Sequence, residues 1–315
     1  MVEIHKLGSV PAGQHPTMPR SLLPSVTAET FDPLASLLAE IATGHERAFA
    51  RLYELMGSRL FAVARRVAGR TDLAEDVLQE SFLRIWRSAH QYDPAKGPAY
   101  AWLVRIVRNR ALSARTRAAR HEAGCTGLDE DLPSDAPDPA AQVLRSEEAR
   151  RVNACLTSLP LNHRRSVAMV YFEGLTHREL AERLDVQLGT AKSWVRRGLA
   201  KMGQCLSQET ATDWRGLVAA DYALGSLQGA ARRGFERRRE RDARYCRAAD
   251  LWETKLAMLT EFLPDQAPPP AVWRRIEQGV KGNRVSFAHP LLWQIIAGSL
   301  AAVVVALLVV LGRSR

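Results

Sequence analysis

Lys192, Arg196 and Arg197 are spaced to fall on one side of a helix, with the hydroxyl residues Thr190 and Ser193 beside them. Cations and hydrogen-bonding groups presented together suit contact with phosphates and with base edges in a major groove. A second basic cluster lies between Ala99 and Arg120, where there are six arginines and no acid. Arg105, Arg108 and Arg115 share one side of it, near the aromatic Tyr92, Tyr100 and Trp102. That mixture suits phosphate contact and base stacking, and a solvated arginine face is the ordinary alternative. A third set mixes Asp72, Asp76, Gln79 and Glu80 with Leu83 and Trp86 on the outer side of one helix. Large apolar side chains among carboxylates suggest a protein-docking surface. A neighbouring helix lying over Leu83 and Trp86 explains the same pattern.

None of these sets is catalytic. There is no nucleophile–base pattern, glycine-rich phosphate loop or HExxH motif, so neither an enzyme nor a cofactor is expected. The cysteines at 125, 155, 205 and 246 form no CxxC and have no histidine at ligand spacing. They read as reduced thiols of a cytoplasmic chain, not as disulfides or a metal site. A net charge of +10 and a pI near 9.9 over 315 residues favour an anionic partner, nucleic acid or membrane.

The elements that must position these residues are helical. Residues 1–30 hold Pro11, Pro16, Pro19 and Pro24 without an apolar run, which predicts a disordered tail. Helical periodicity runs from Phe31 to Val67 and again from Asp72 to Trp86, where Ala74, Val77, Leu78, Phe82 and Ile85 form the inward face. A loop with Pro94, Gly97 and Pro98 precedes a helix from Tyr100 to about Arg117. Residues 121–141 form an acidic, proline-rich linker. From Leu175 the pattern is more specific. Thr176 and Glu179 have capping-box spacing, and Leu175 and Leu180 sit where a hydrophobic staple packs. The first helix then runs from near His177 to near Leu184. Asp185–Gly189 make the turn, and Thr190 caps a second helix with Ala191, Val195, Gly198 and Met202 inward. This is the geometry of a helix-turn-helix.

Taken in order, DLAEDVLQESFLRIW, YDPAKGPAYAWLVRIVRNRA and LTHRELAERLDVQLGTAKSWVRRGL resemble an ECF (extracytoplasmic function) sigma factor of the sigma-70 family, over about residues 33–206. The resemblance implies that residues 31–120 form sigma region 2 and residues 142–206 form region 4. It implies core RNA polymerase as the partner of Asp72, Asp76, Gln79, Glu80, Leu83 and Trp86. Arg105, Arg108 and Arg115 would then meet the −10 element of promoter DNA, and Thr190, Lys192, Ser193, Arg196 and Arg197 the −35 element. Ser113 departs from the pattern, since such factors commonly place an aspartate there.

After the helix-turn-helix the composition changes. DYALGSL, FERR, LWETKLAML and PPPAVWRRIEQGV resemble the cytoplasmic domain of a zinc-free, single-span anti-sigma factor, over residues 213–282. Leu291–Leu311 is 21 residues without a charge, long enough to span a bilayer. Arg274, Arg275, Lys281 and Arg284 precede it, which places the N-terminal bulk in the cytoplasm. Only Gly312–Arg315 follows, so no sensor domain of the usual sort is expected. The expectation is an all-α chain: a sigma factor fused to its membrane-anchored inhibitor, partnered by core polymerase, promoter DNA, its own inhibitory domain and the membrane. A membrane-bound regulator that binds DNA without joining polymerase is the alternative.

Overall fold

The computed structural model describes residues 32–121, 146–206 and 214–281, and every regular element among them is helical. The expected N-terminal tail, most of the acidic linker and the span at 291–311 lie outside the described residues. Among the described residues no helix is long and apolar enough to cross a membrane.

Four helices come first: α1 (Pro33–Ala42), α2 (Glu46–Ala68), α3 (Thr71–Ser88) and α4 (Ala99–His121). Asp32 organises two of their ends. One carboxylate oxygen accepts from Leu34 N at 2.9 Å and caps α1, while the other accepts from Ala99 N at 3.2 Å where α4 begins. The capped start is reinforced by Pro33 in the first turn. Gly69 closes α2 with φ +77°, a left-handed conformation that side chains disfavour. The apolar stripes of α2, α3 and α4 converge, with Leu52, Leu60, Leu78, Phe82, Ile85 and Leu103 fully buried.

A second group holds α5 (Glu147–Thr157), α6 (Leu161–Glu173), α7 (His177–Arg183) and α8 (Leu188–Cys205). The capping box at Thr176 and Glu179 is present in both directions, and Leu175 and Leu180 are both buried. The inward stripe of α8 is the expected one, with Ala191, Val195, Gly198 and Met202 buried. Gly198 is required by close approach: a Cβ there would stand 2.7 Å from a Val167 methyl of α6. One expectation fails at the start of α8. The helix opens at Leu188 with Gln187 as N-cap, so Thr190 lies within the first turn and does not cap it. The turn is two residues shorter than composition implied.

The cysteine reading is corrected too. Cys155 of α5 and Cys205 in the last turn of α8 form a disulfide with Cα atoms 5.7 Å apart. Their separation of 50 residues hides the pairing in the sequence; the packing of α5 on α8 creates it.

The last group comprises α9 (Trp214–Leu224), α10 (Gly229–Arg241), α11 (Ala243–Met258) and α12 (Pro270–Lys281). Trp252 and Phe235 are fully buried here, and Tyr222 stacks on Phe235 with ring centres 4.6 Å apart. These helices do not stand apart from the rest. α11 packs on α4 and α5, α12 on α3, and α9 on α6 and α8.

Candidate nucleic-acid interface

The two basic helices meet different fates. On α8, Lys192, Arg196 and Arg197 are exposed, while Thr190 and Ser193 are half-buried. Among the described residues none of the three cations has an ion-pair partner. The inward stripe anchors α8 against α6, so these charges are held outward on a rigid element. Their field reaches the nearby histidines. Burial first, then Lys192, lowers the pKa of His177; burial, then Lys201 and Arg197, lowers that of His163.

On α4 the arginines are engaged. Arg105 Nη1 donates to Glu253 at 2.9 Å and to Asp250 at 3.2 Å, both on α11. The same two carboxylates take Arg239 of α10, at 2.5 Å to Asp250 and 3.3 Å to Glu253. Asp250 and Glu253 lie one helical turn apart, so one face of α11 presents both to the two arginines. Arg115 donates to Glu173 O and, at 3.2 Å, to Glu179.

Arg108 overturns its expected place beside Arg105 on an open face. It is only 5% exposed. Its guanidinium donates to Tyr171 O at 3.1 Å, Ala223 O at 3.0 Å and Leu224 O at 2.6 Å. It also lies over the Tyr171 ring at 4.2 Å. Desolvation pulls its pKa down to about 10, so it stays charged at neutral pH. Two of its acceptors are terminal carbonyls of α9, which have no partner within their own helix and attract a cation. The sequence could not show this, because those carbonyls lie 115 and 116 residues away.

The set on α3 is also divided. Trp86 is a core residue, 5% exposed, with its ring edge-on to Phe49 at 5.2 Å between centres. This corrects its expected outward position, because α2 covers that side of α3. Leu83 is half-buried beneath α12, where a Cβ at Gly279 would come 2.7 Å from a Leu83 methyl. Asp76 and Glu75 face Arg275 of α12 at 3.5 and 3.2 Å. Glu80 pairs with Arg110 at 2.8 Å, and Gln79 is half-buried. Asp72 is exposed, its carboxyl held below the usual range chiefly by a hydrogen bond from Arg70.

Sequence reasoning missed the groups that tie the last four helices down. Trp273 of α12 packs on Tyr53 at 4.5 Å. Tyr100 shares a 2.7 Å hydrogen bond with Thr260, and burial pushes its hydroxyl up to about 12. Arg59 pairs with Asp265, Lys255 with Glu148, and Glu261 accepts from both Ser146 N and Ser146 Oγ at 2.9 Å. The i, i+3 carboxylates at 250 and 253 beside buried Trp252 were the one available signal.

Residues 52–121 match the family model for sigma-70 region 2, and residues 149–202 that for sigma-70 region 4. The ECF RNA polymerase sigma factor SigK of Mycolicibacterium vanbaalenii is 36% identical over 191 residues, covering 58% of this chain and 92% of that protein. The chain belongs to the ECF sigma factor family. A SigK of Mycobacterium ulcerans is 35% identical over 56% of this chain and 94% of its own length. A solved structure described as CnrH in complex with the cytosolic domain of CnrY shares 26% identity, covering 56% of this chain and 99% of its own. Its TM-score of 0.27 carries no argument about arrangement. As an ECF sigma factor, the chain directs RNA polymerase to promoters. Its helices α9–α12 follow the last residue matched by the region 4 model.

Proposed function

We propose that this sigma factor carries its own anti-sigma module, residues 213–282, and that a span at 291–311 holds it at the cytoplasmic membrane with the N-terminal bulk in the cytoplasm. In this reading Asp72, Asp76, Gln79, Glu80 and Leu83 belong to the face that docks core polymerase. Arg105, Arg108 and Arg115 belong to the −10 face, and Thr190, Lys192, Ser193, Arg196 and Arg197 to the −35 face. Trp86 supports the docking face from the core.

One observation carries the reading. The last four helices engage the residues that polymerase and the −10 element would need. α12 lies over Leu83 and pairs Arg275 with Glu75 and Asp76, while α11 places two carboxylates on Arg105. Carboxylates on an arginine occupy the place a phosphate would take. Fusion fixes the ratio of sigma and inhibitor at one to one and holds them at an effective concentration of order mM.

The test is promoter-dependent transcription in vitro, comparing the full chain with residues 31–210. The shorter chain is expected to initiate, and the full chain to initiate weakly. Equal activity refutes self-inhibition. Co-purification of the shorter chain with core polymerase separates this reading from a DNA-binding regulator that never joins the enzyme.

A further inference from the structure

A cleft of about 1170 Å³ lies between α4, the turn into α7 and the start of α10. Its charge is lopsided: seven arginines line it against one carboxylate, Glu179. Four of these arginines are satisfied. Arg105 has Asp250 and Glu253, Arg110 has Glu80, Arg115 has Glu179, and Arg232 has Glu236 at 2.9 Å. Arg84, Arg117 and Arg233 have no ion-pair partner among the described residues, and all three are exposed. A neighbouring, smaller cleft shows the contrast. There Lys96, Arg105 and Arg239 are balanced by Asp93, Asp250 and Glu253.

Like charges lining one concave surface repel each other and concentrate anions. The wall is not wholly polar: Trp102, Ile106, Leu112 and Leu227 contribute apolar surface on which a base could rest. Its volume is a little above that of ordinary small-molecule pockets, roughly 300–1,000 Å³. The cleft is also composite, because Arg84 and Arg117 come from α3 and α4 whereas Arg233 comes from α10. Nothing that binds between them can do so without bridging region 2 and the C-terminal helices.

We propose that this cleft binds a small ligand with clustered phosphates, a nucleoside polyphosphate, and that the ligand braces the C-terminal helices against region 2. A nucleoside triphosphate supplies the charge that Arg84, Arg117 and Arg233 lack and a base for the apolar wall. Occupancy holds α10 against region 2, because both sides of the cleft contribute donors to it.

The test is calorimetric titration of the full chain in neutral detergent with ATP, with inorganic tripolyphosphate and with a short single-stranded oligonucleotide. Neither polymerase nor promoter is needed, so failure here is separate from failure of self-inhibition. ATP is expected to bind one to one. The variant R84A/R117A/R233A is expected to lose about tenfold or more in affinity. These three side chains are exposed, so the fold should persist, which circular dichroism checks. Arg238→Ala, exposed on the same helix α10 but outside the cleft, is the control and should leave binding unchanged. Tighter binding of ATP than of tripolyphosphate is expected; equal binding overturns the nucleoside part of the proposal, because the apolar wall then contributes nothing. Undiminished binding in the triple variant, or equal loss in Arg238→Ala, overturns the proposal. So does binding of the oligonucleotide alone, which would assign these arginines to promoter DNA.

Discussion

Helices α4 and α8 carry similar chemistry and sit in opposite situations. Both are basic, and both carry arginines beside an apolar stripe. On α8 the three cations face solvent. On α4, Arg105 is held by two carboxylates of α11, and Arg108 is buried against the end of α9. Charge composition alone therefore does not say which basic helix is free to meet DNA; what packs over it does. The difference also points to a division of labour. Contacts from α11 and α12 fall on the face of α3 around Leu83 and on α4, whereas α9 packs on α8 and leaves Lys192, Arg196 and Arg197 exposed.

The sharpest break in that comparison is to free α4. Replacing Asp250 by Asn together with Glu253 by Gln leaves Arg105 and Arg239 without their carboxylates. The cost is about 3 kcal/mol, near the low end for a broken buried pair because Arg105 retains 27% side-chain exposure. Chemical denaturation should show that loss, and transcription by the full chain should rise. No change in either would mean that these carboxylates do not hold the C-terminal helices.

The counterpart on α8 is Arg196→Ala. With no ion pair to lose among the described residues and only a longer-range attraction to Asp221, the fold should be little affected, while promoter affinity falls by roughly 1–3 kcal/mol if the side chain reads a base. Uniform weakening across sequences, with a flatter salt dependence, would make it a phosphate contact instead. Unchanged binding would remove α8 from the interface.

A smaller effect is expected from crowding α12 off α3. Gly279→Leu pushes into the Leu83 methyls at a cost of about 1 kcal/mol, because the obstructing atoms are the far end of a flexible side chain. Capture of core polymerase by the full chain should increase. Unaltered capture would show that α12 does not guard the docking face.

An effect no larger is expected from Tyr100→Phe, which removes the hydrogen bond to Thr260 for about 1 kcal/mol. The sign of its pH dependence follows from the raised pKa. The folded state favours the neutral hydroxyl, so its contribution is whole below the ordinary tyrosine value of 10 and is lost as pH climbs towards about 12. Alkaline unfolding curves of the two proteins should converge in that window. Parallel curves would exclude Tyr100 as the group responsible.

Much of the architecture was legible because local physics determines it. Periodicity marked α3, the Thr176–Glu179 pair marked the start of α7, and the inward stripe of α8 follows from helical geometry. The order of three motifs was enough to point to the family that region 2 and region 4 matches and close relatives then established. A helix face does not, however, say which neighbour covers it. Trp86 looked outward until α2 was seen to cover it, and Arg108 looked solvated until α6 and α9 supplied carbonyls from far along the chain. Cys155 and Cys205 met for the same reason. The sequence by itself determined the helices, their polar and apolar faces and the family. Only the tertiary structure decided which charges were spent inside the molecule, because a guanidinium goes to the strongest acceptors packing brings near it, whatever their distance in sequence.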